Sequence, residues 1–196
     1  MDHVAFTAMQ DGTQADYAFL HALEADYMRD LPQRILASLE RTADTLPGYQ
    51  VNRLTHALQS AARAEADGAD VDMVVGALVH DMGDELAPAN HASFAAALLR
   101  PYVRAEVTWV VEKHALFQMQ YYAHHIGQER DGRLRYRDHP WFDSCQHFCA
   151  AYDQNSFDPD YPTPALAHFA PLVHAVFSRT PYDPAVLQEP QESARA

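Results

Sequence analysis

An all-α fold, a helical bundle, is predicted by three features of the chain. Apolar residues recur at helical spacing almost throughout, no alternating strand of useful length occurs, and the periodic segments are bounded by helix caps and breakers. At 196 residues, 48% hydrophobic and 21% charged, the chain has the size and composition of one globular domain with its own core.

The elements follow in order. Segment 14–30 carries Tyr17, Leu20, Leu23 and Tyr27 at helical spacing, and Pro32 suits the first turn of a second helix bearing Ile35, Leu36 and Leu39. These N-terminal helices, within residues 1–45, are expected to pack on the core. Leu46, Pro47 and Gly48 break the pattern. A third helix is predicted from Tyr49 to Ala66, closed by Gly68, and Asp70 is a good N-cap for a fourth that runs to His80. Segments 90–100 and 103–125 read as helices punctuated by Arg100 and Pro101, and helix resumes over 139–152. The stretch "DQNSFDPDYPTPA" reads as a loop, and a last helix carries Leu166, Leu172, Val173 and Phe177. A single domain over 1–180 with a mobile tail at 181–196 is the expected organisation.

The formal charge of −13 disfavours nucleic acid and anionic membranes as partners, so an anionic small-molecule ligand would need a local cationic site. No apolar run reaches the roughly 18 residues of a membrane span, and the start "MDHVAFTAMQDGTQADY" has neither the basic opening nor the apolar stretch of a signal peptide, which points to the cytoplasm. Cys145 and Cys149, four apart, lack the four-ligand spacing of a zinc site and read as reduced packing thiols. Oligomeric state is not legible.

The chemistry concentrates in "GALVHDMGDELAPANH". The fourth helix is apolar all round, with Val71, Val74, Val75 and Leu78 on one stripe and Met73, Gly76, Ala77 and Val79 on the other side, so it is a buried helix. It ends in His80 and Asp81, two polar groups that need partners if they share that burial. On the preceding helix Tyr49, Arg53, His56 and Ser60 fall on a different face from Leu54, Leu58 and Ala61; taken alone, His56 there reads as solvated. The ordered set His56, His80, Asp81, His91, His114 and Asp153 makes it a candidate ligand, because imidazole and carboxylate suit iron, manganese or zinc.

The order H…HD…D on successive helices, together with "LTHALQSAARAEADGA", "VVGALVHDMGDELAPANH" and "YDQNSFDPDY", resembles the HD-domain superfamily over about residues 46 to 180. Within it the chain is most similar to the mixed-valent diiron oxygenases that cleave carbon–phosphorus bonds, relatives of myo-inositol oxygenase. The resemblance implies His56, His80, Asp81 and Asp153 on one iron, with Asp81 bridging to a second that also takes His91 and His114. It implies Fe(II)/Fe(III) as cofactor, dioxygen as co-substrate, and oxidation of a 1-hydroxyphosphonate to a carboxylic acid and phosphate.

Where an aminophosphonate-cleaving relative carries a tyrosine and a glutamate, this chain has Leu46 and Tyr49, and where the relative has a histidine after the HD pair it has Asp84. Aromatic faces and a carboxylate suit a quaternary ammonium, which has no N–H to donate. The expected substrate is therefore (1-hydroxy-2-(trimethylammonio)ethyl)phosphonate, with Tyr49 and Asp84 at its cation. The lysine and arginine that hold phosphonate in the relative correspond to Gln118 and Ala150, leaving Gln118, Arg53, Tyr122 or His125 to take the anion. The plainer readings are a surface charge for Arg53, a core aromatic for Tyr122 and a solvated pair for His124 and His125. Three other functions stay open: an HD-type phosphohydrolase using a metal-activated water, a diiron oxygenase acting on 2-amino-1-hydroxyethylphosphonate or a non-phosphonate, and a non-catalytic helical binding module.

Overall fold

The computed structural model describes residues 2–188, and among these the chain is helical with no strand. Helix α1 is Gln14–Arg29, α2 Leu31–Arg41, α3 Arg53–Ala66, α4 Val71–Val79, α5 His91–Leu99, α6 Ala105–Tyr122, α7 Phe142–His147, α8 Leu166–Phe177 and α9 Pro184–Leu187. Short 3-10 turns link them, and α7 runs directly into a π-helical turn, Phe148–Asp153. None of the described helices is long and apolar enough to cross a membrane.

Local chemistry accounts for the boundaries. Thr13 and Asp16 form a reciprocal capping box at the start of α1. Pro32 lies in the first turn of α2, and Asp70 caps α4 by accepting from the Met73 N–H at 3.0 Å. Helix α3 starts four residues later than its apolar period suggests, because Asn52 accepts the Thr55 N–H at 2.8 Å and caps it there. Tyr49 therefore sits on the preceding loop and not on the helix face of Arg53 and His56. Helix α6 likewise ends at Tyr122; the 3-10 turn Ala123–Ile126 and Gly127, at φ 70°, turn the chain away.

The buried apolar residues form one cluster from Ile35 to Phe177. Helix α4 is its axis, with Val75, Ala77 and Val79 fully enclosed by α3, α6 and α8. Gly76 lets α6 approach closely: a Cβ there would lie 2.7 Å from a methyl of Val107. Helix α2 adds Pro32, Ile35 and Leu39 and packs on α8. Helix α1 is different, since Asp16 is its only buried residue and its stripe stays in solvent, Leu23 at 49% and Tyr27 at 64% exposure. The segment expected to be a mobile tail is described as far as 188, where Tyr182 donates its N–H to Pro101 O at 2.7 Å; its remainder, 189–196, lies outside the described residues.

One polar tie crosses the bundle far from the histidines. Asp72, buried in the first turn of α4, accepts the Arg104 N–H at 3.0 Å and Arg179 Nη1 at 2.7 Å, and the same Nη1 lies 2.8 Å from Tyr102 O. Asp72→Ala strands a partly buried guanidinium and an N–H. It is expected to cost about 2–3 kcal/mol in urea denaturation, against less than about 1 kcal/mol for Asp26→Ala in the exposed pair with Arg29.

Candidate metal centre

Four helices and the π turn bring six side chains together. His56 comes from the first half of α3, His80 caps the end of α4, Asp81 follows it, His91 opens α5, His114 lies in the second half of α6, and Asp153 ends the π turn. Their imidazoles stand in a continuous row: His56 to His80 at 5.0 Å between ring centres, His80 to His114 at 4.9 Å, His114 to His91 at 5.3 Å. His56, read from the sequence as solvated in isolation, is 1% exposed, because α4 and the π turn pack on α3 and every residue from 56 to 62 is buried.

Backbone carbonyls fix the tautomer of the three buried rings. Nδ1 of His56 lies 2.9 Å from Ser156 O, Nδ1 of His80 2.7 Å from Ala77 O, and Nδ1 of His114 2.6 Å from Val111 O. A carbonyl only accepts, so each Nδ1 carries the hydrogen and each Nε2 lone pair points inward. The Nε2 atoms of His56 and His80 are 3.1 Å apart. Two lone pairs at that separation repel unless a cation, either a proton or a metal ion, sits between them.

The carboxylates complete the cage. Asp153 Oδ1 lies 3.4 Å from His56 Nε2 and 3.6 Å from His80 Nε2, while its Oδ2 is buried with no hydrogen-bond partner. Asp81 divides its oxygens: Oδ2 is 3.5 Å from Nε2 of both His56 and His80, and Oδ1 is 3.3 Å from His114 and 3.4 Å from His91. Donor atoms of His56, His80 and Asp81, of His80, His114 and Asp153, and of Asp81, His91 and His114 each lie within 4.8 Å of one another. Convergent imidazoles, an orphaned carboxylate oxygen and a carboxylate shared between two histidine pairs fit a metal ion, and these buried clusters can hold one. The donors are nitrogen and oxygen only. The thiols of Cys145 and Cys149 are turned to the α6 carbonyls of Val110 and His114.

Charge within the cage is strongly linked. Burial works against charged imidazoles, but the Asp153 and Asp81 carboxylates outweigh it and raise His56, and Asp81 with Asp153 does the same for His80. Burial likewise pushes the Asp81 and Asp153 carboxyls up, and the surrounding histidines, His80 foremost, hold both well below the usual carboxylate range.

The two halves of the cage differ in access. His56 and His80 are sealed, whereas Asp81, His114, Asp153 and His91, the last with its side chain 23% exposed, line a cleft of about 320 Å3. Of the residues expected from the sequence to bind substrate, Tyr49, Arg53, Gln118 and Tyr122 line that cleft. Two expected groups do not reach it. His125 lies beyond the end of α6, exposed and packed against His124, because the helix stops three residues before it. Asp84 faces inward, its Oδ2 3.0 Å from Arg53 Nε and its Oδ1 3.4 Å from His91 Nδ1, so it orients those two groups and does not present its carboxylate to the cleft. Arg53 also places Nη1 3.2 Å from Asp81 Oδ2.

Sequence reasoning missed Tyr121 and Phe157 in the cleft wall. Phe157 is stacked between His56, at 4.4 Å, and Tyr49, at 4.9 Å, and covers the buried half of the cage. The signal was available, since Phe157 is a lone large apolar residue within "DQNSFDPDY". Gly83 was also missed. A Cβ there would lie 2.7 Å from the Cα and O of His91, so only glycine lets the turn after the HD pair lie against the start of α5.

No known protein-family model matches the chain, and no curated protein matches it.

Removal of metal should expose the repulsion between the two Nε2 atoms in a pH-dependent way. The raised His56 and His80 contribute stability that is fully present below about pH 6.5, the ordinary histidine value. That contribution is lost as pH rises through their higher folded values. The depressed carboxylates act in a separate window, losing their contribution only as pH falls below about 4. Chelator-treated protein is therefore expected to be more stable near pH 6 than near pH 8 in thermal unfolding. A divalent ion at about a hundred times its Kd should raise Tm at pH 8 by roughly 5–10 °C. A metal-free protein indifferent to pH between 6 and 8, with no Tm response to added ions, would contradict the assignment.

Proposed function

We propose that the chain is an oxygen-dependent, HD-type diiron enzyme that breaks the carbon–phosphorus bond of (1-hydroxy-2-(trimethylammonio)ethyl)phosphonate, giving glycine betaine and phosphate. The observation that carries this reading is Asp81, whose two oxygens serve two separate histidine pairs at the floor of a cleft. Two irons of unequal valence, held by His56, His80, Asp81 and Asp153 and by Asp81, His91 and His114, would supply electron transfer with dioxygen. The reaction balances without an external reductant: the hydroxyl-bearing carbon loses its hydrogen and its bond to phosphorus, and dioxygen takes all four electrons and supplies the new oxygens.

The chain's own groups have roles that follow from their positions. Arg53 is the only Lys or Arg among the groups lining the cleft, and it takes the phosphonate oxygens, steadied by Asp84 behind it. Gln118, with its Oε1 buried and unpartnered, stands in the cleft wall as a further polar contact. Aromatic faces of Tyr49, Tyr121 and Tyr122 at the mouth meet the trimethylammonium, each such contact contributing about 0.5–2 kcal/mol. With Asp84 committed to Arg53 and His91, that cation is recognised by the aromatic wall and not by Asp84. Phe157 and Tyr49 exclude water from the His56 side.

The direct experiment measures metal content and the EPR spectrum of anaerobically purified protein, then adds the substrate and afterwards oxygen. Two irons per chain, a signal that shifts with substrate, and glycine betaine and phosphate formed in step with oxygen uptake are expected. Phosphate released from phosphate esters without oxygen would make the protein a phosphohydrolase, a two-iron signal that substrate does not shift would leave a diiron oxygenase of another substrate, and neither metal nor product would leave a binding module. Arg53→Met is expected to raise KM for the phosphonate about 10–100-fold with a smaller effect on kcat, as loss of a charge-assisted contact predicts. A loss confined to kcat would instead make Arg53 a support for Asp81.

A further inference from the structure

The π turn Phe148–Asp153 has to aim two side chains at one place. Phe148 packs edge-on against His80, at 5.7 Å between ring centres, and Asp153 Oδ1 lies 3.6 Å from the same imidazole. The two residues are five apart. In an α-helix, at 100° per residue, they would point about 140° away from each other. A turn closed by i→i+5 bonds brings them back to one face, and π turns are rare, which means that something outside the turn must hold it.

The groups that hold it straddle Asp153. On its far side, Ser156 donates its hydroxyl to Tyr152 O at 2.6 Å and offers its own carbonyl to His56 Nδ1. On its near side, Tyr152 is buried at 4% exposure and donates its phenol O–H to Asp67 Oδ2 at 2.7 Å. Asp67 is the C-cap of α3, the helix whose other end carries His56. His147 Nε2 reaches the same Asp67 oxygen at 2.7 Å from the last turn of α7.

We propose that Tyr152 and Asp67 are positioning residues for the metal ligand Asp153. Their bond ties the π turn to the C-terminal end of α3 and so fixes the carboxylate of Asp153 relative to the imidazole of His56. Neither residue touches the metal cage. The inference rests on His56, His80, Asp81 and Asp153 forming one metal site and is independent of iron, oxygen or phosphonate chemistry.

The test is titration of metal-free protein with cobalt(II), followed by its visible absorption, in the wild type and in Tyr152→Phe, Asp67→Ala, Asp67→Asn and His147→Ala, with Tm measured in parallel. Supports of this kind typically change metal affinity 10–100-fold. Tyr152→Phe and Asp67→Ala are expected to weaken cobalt at the Asp153 site by that factor. Asp67→Asn, which keeps an oxygen to accept the Tyr152 hydroxyl, should stay within about threefold of wild type, as should His147→Ala. Asp67 is half exposed, so Asp67→Ala still reads the effect if loss of the buried hydroxyl prevents folding. Tm lowered with cobalt affinity unchanged would reduce the pair to a structural role and overturn the proposal. A wild-type chain that takes up no cobalt would overturn it together with the metal assignment itself.

Discussion

Inward-pointing imidazole lone pairs are the constraint on which the rest of this structure depends. Once Ser156, Ala77 and Val111 have fixed the Nδ1 hydrogens, the interior holds a set of Nε2 lone pairs together with the carboxylates of Asp153, buried, and Asp81, half-buried, and these repel one another unless positive charge lies among them. Burying such groups without a partner is costly. A fold that encloses them can hold a cation among them, and His91 is the edge of the cage that opens to the cleft.

The scaffold divides the work. Beyond Asp72 in its first turn, helix α4 is apolar on all sides, and it acts as a post that delivers His80 and Asp81, just past its end, to the interior. Helices α3 and α6 pack beside it and contribute one imidazole each, from positions fixed by the depth of their own burial. His91 and Asp153 lie at the ends of their elements, the first residue of α5 and the last of the π turn. His91 depends on the close approach that Gly83 permits, and Asp153 on a π turn held at both ends. Helices α3 and α4 fix the sealed imidazoles of His56 and His80, and Asp81, His91, His114 and Asp153 form the side of the cage that lines the cleft.

Arg53 and Asp84 illustrate how neighbours reassign a residue. From sequence, Asp84 is a free carboxylate near the HD pair and a natural partner for a substrate cation. In the fold it lies between a guanidinium and an imidazole, and it steadies both. That leaves aromatic side chains and Arg53 among the groups that line the cleft.

The amino-acid sequence by itself determined the helical class, most helix boundaries and the six residues of the cage, because helical periodicity, caps such as Asp70, and the H…HD…D order are local or ordinal signals. It also determined that α4 is buried, since an all-round apolar helix has no other stable place. Tertiary structure decided what no local pattern encodes. His56 sits on a face that is polar by its period yet is enclosed by α4 and the π turn, and an apolar stripe on α1 is left in solvent. The 3-10 turn after Tyr122 removes His125 from the site, and the π turn rotates Asp153 into it. The burial of His56 and the aim of Asp153 depend on contacts between segments up to a hundred residues apart, and the direction those side chains face is set there and not by spacing along the chain.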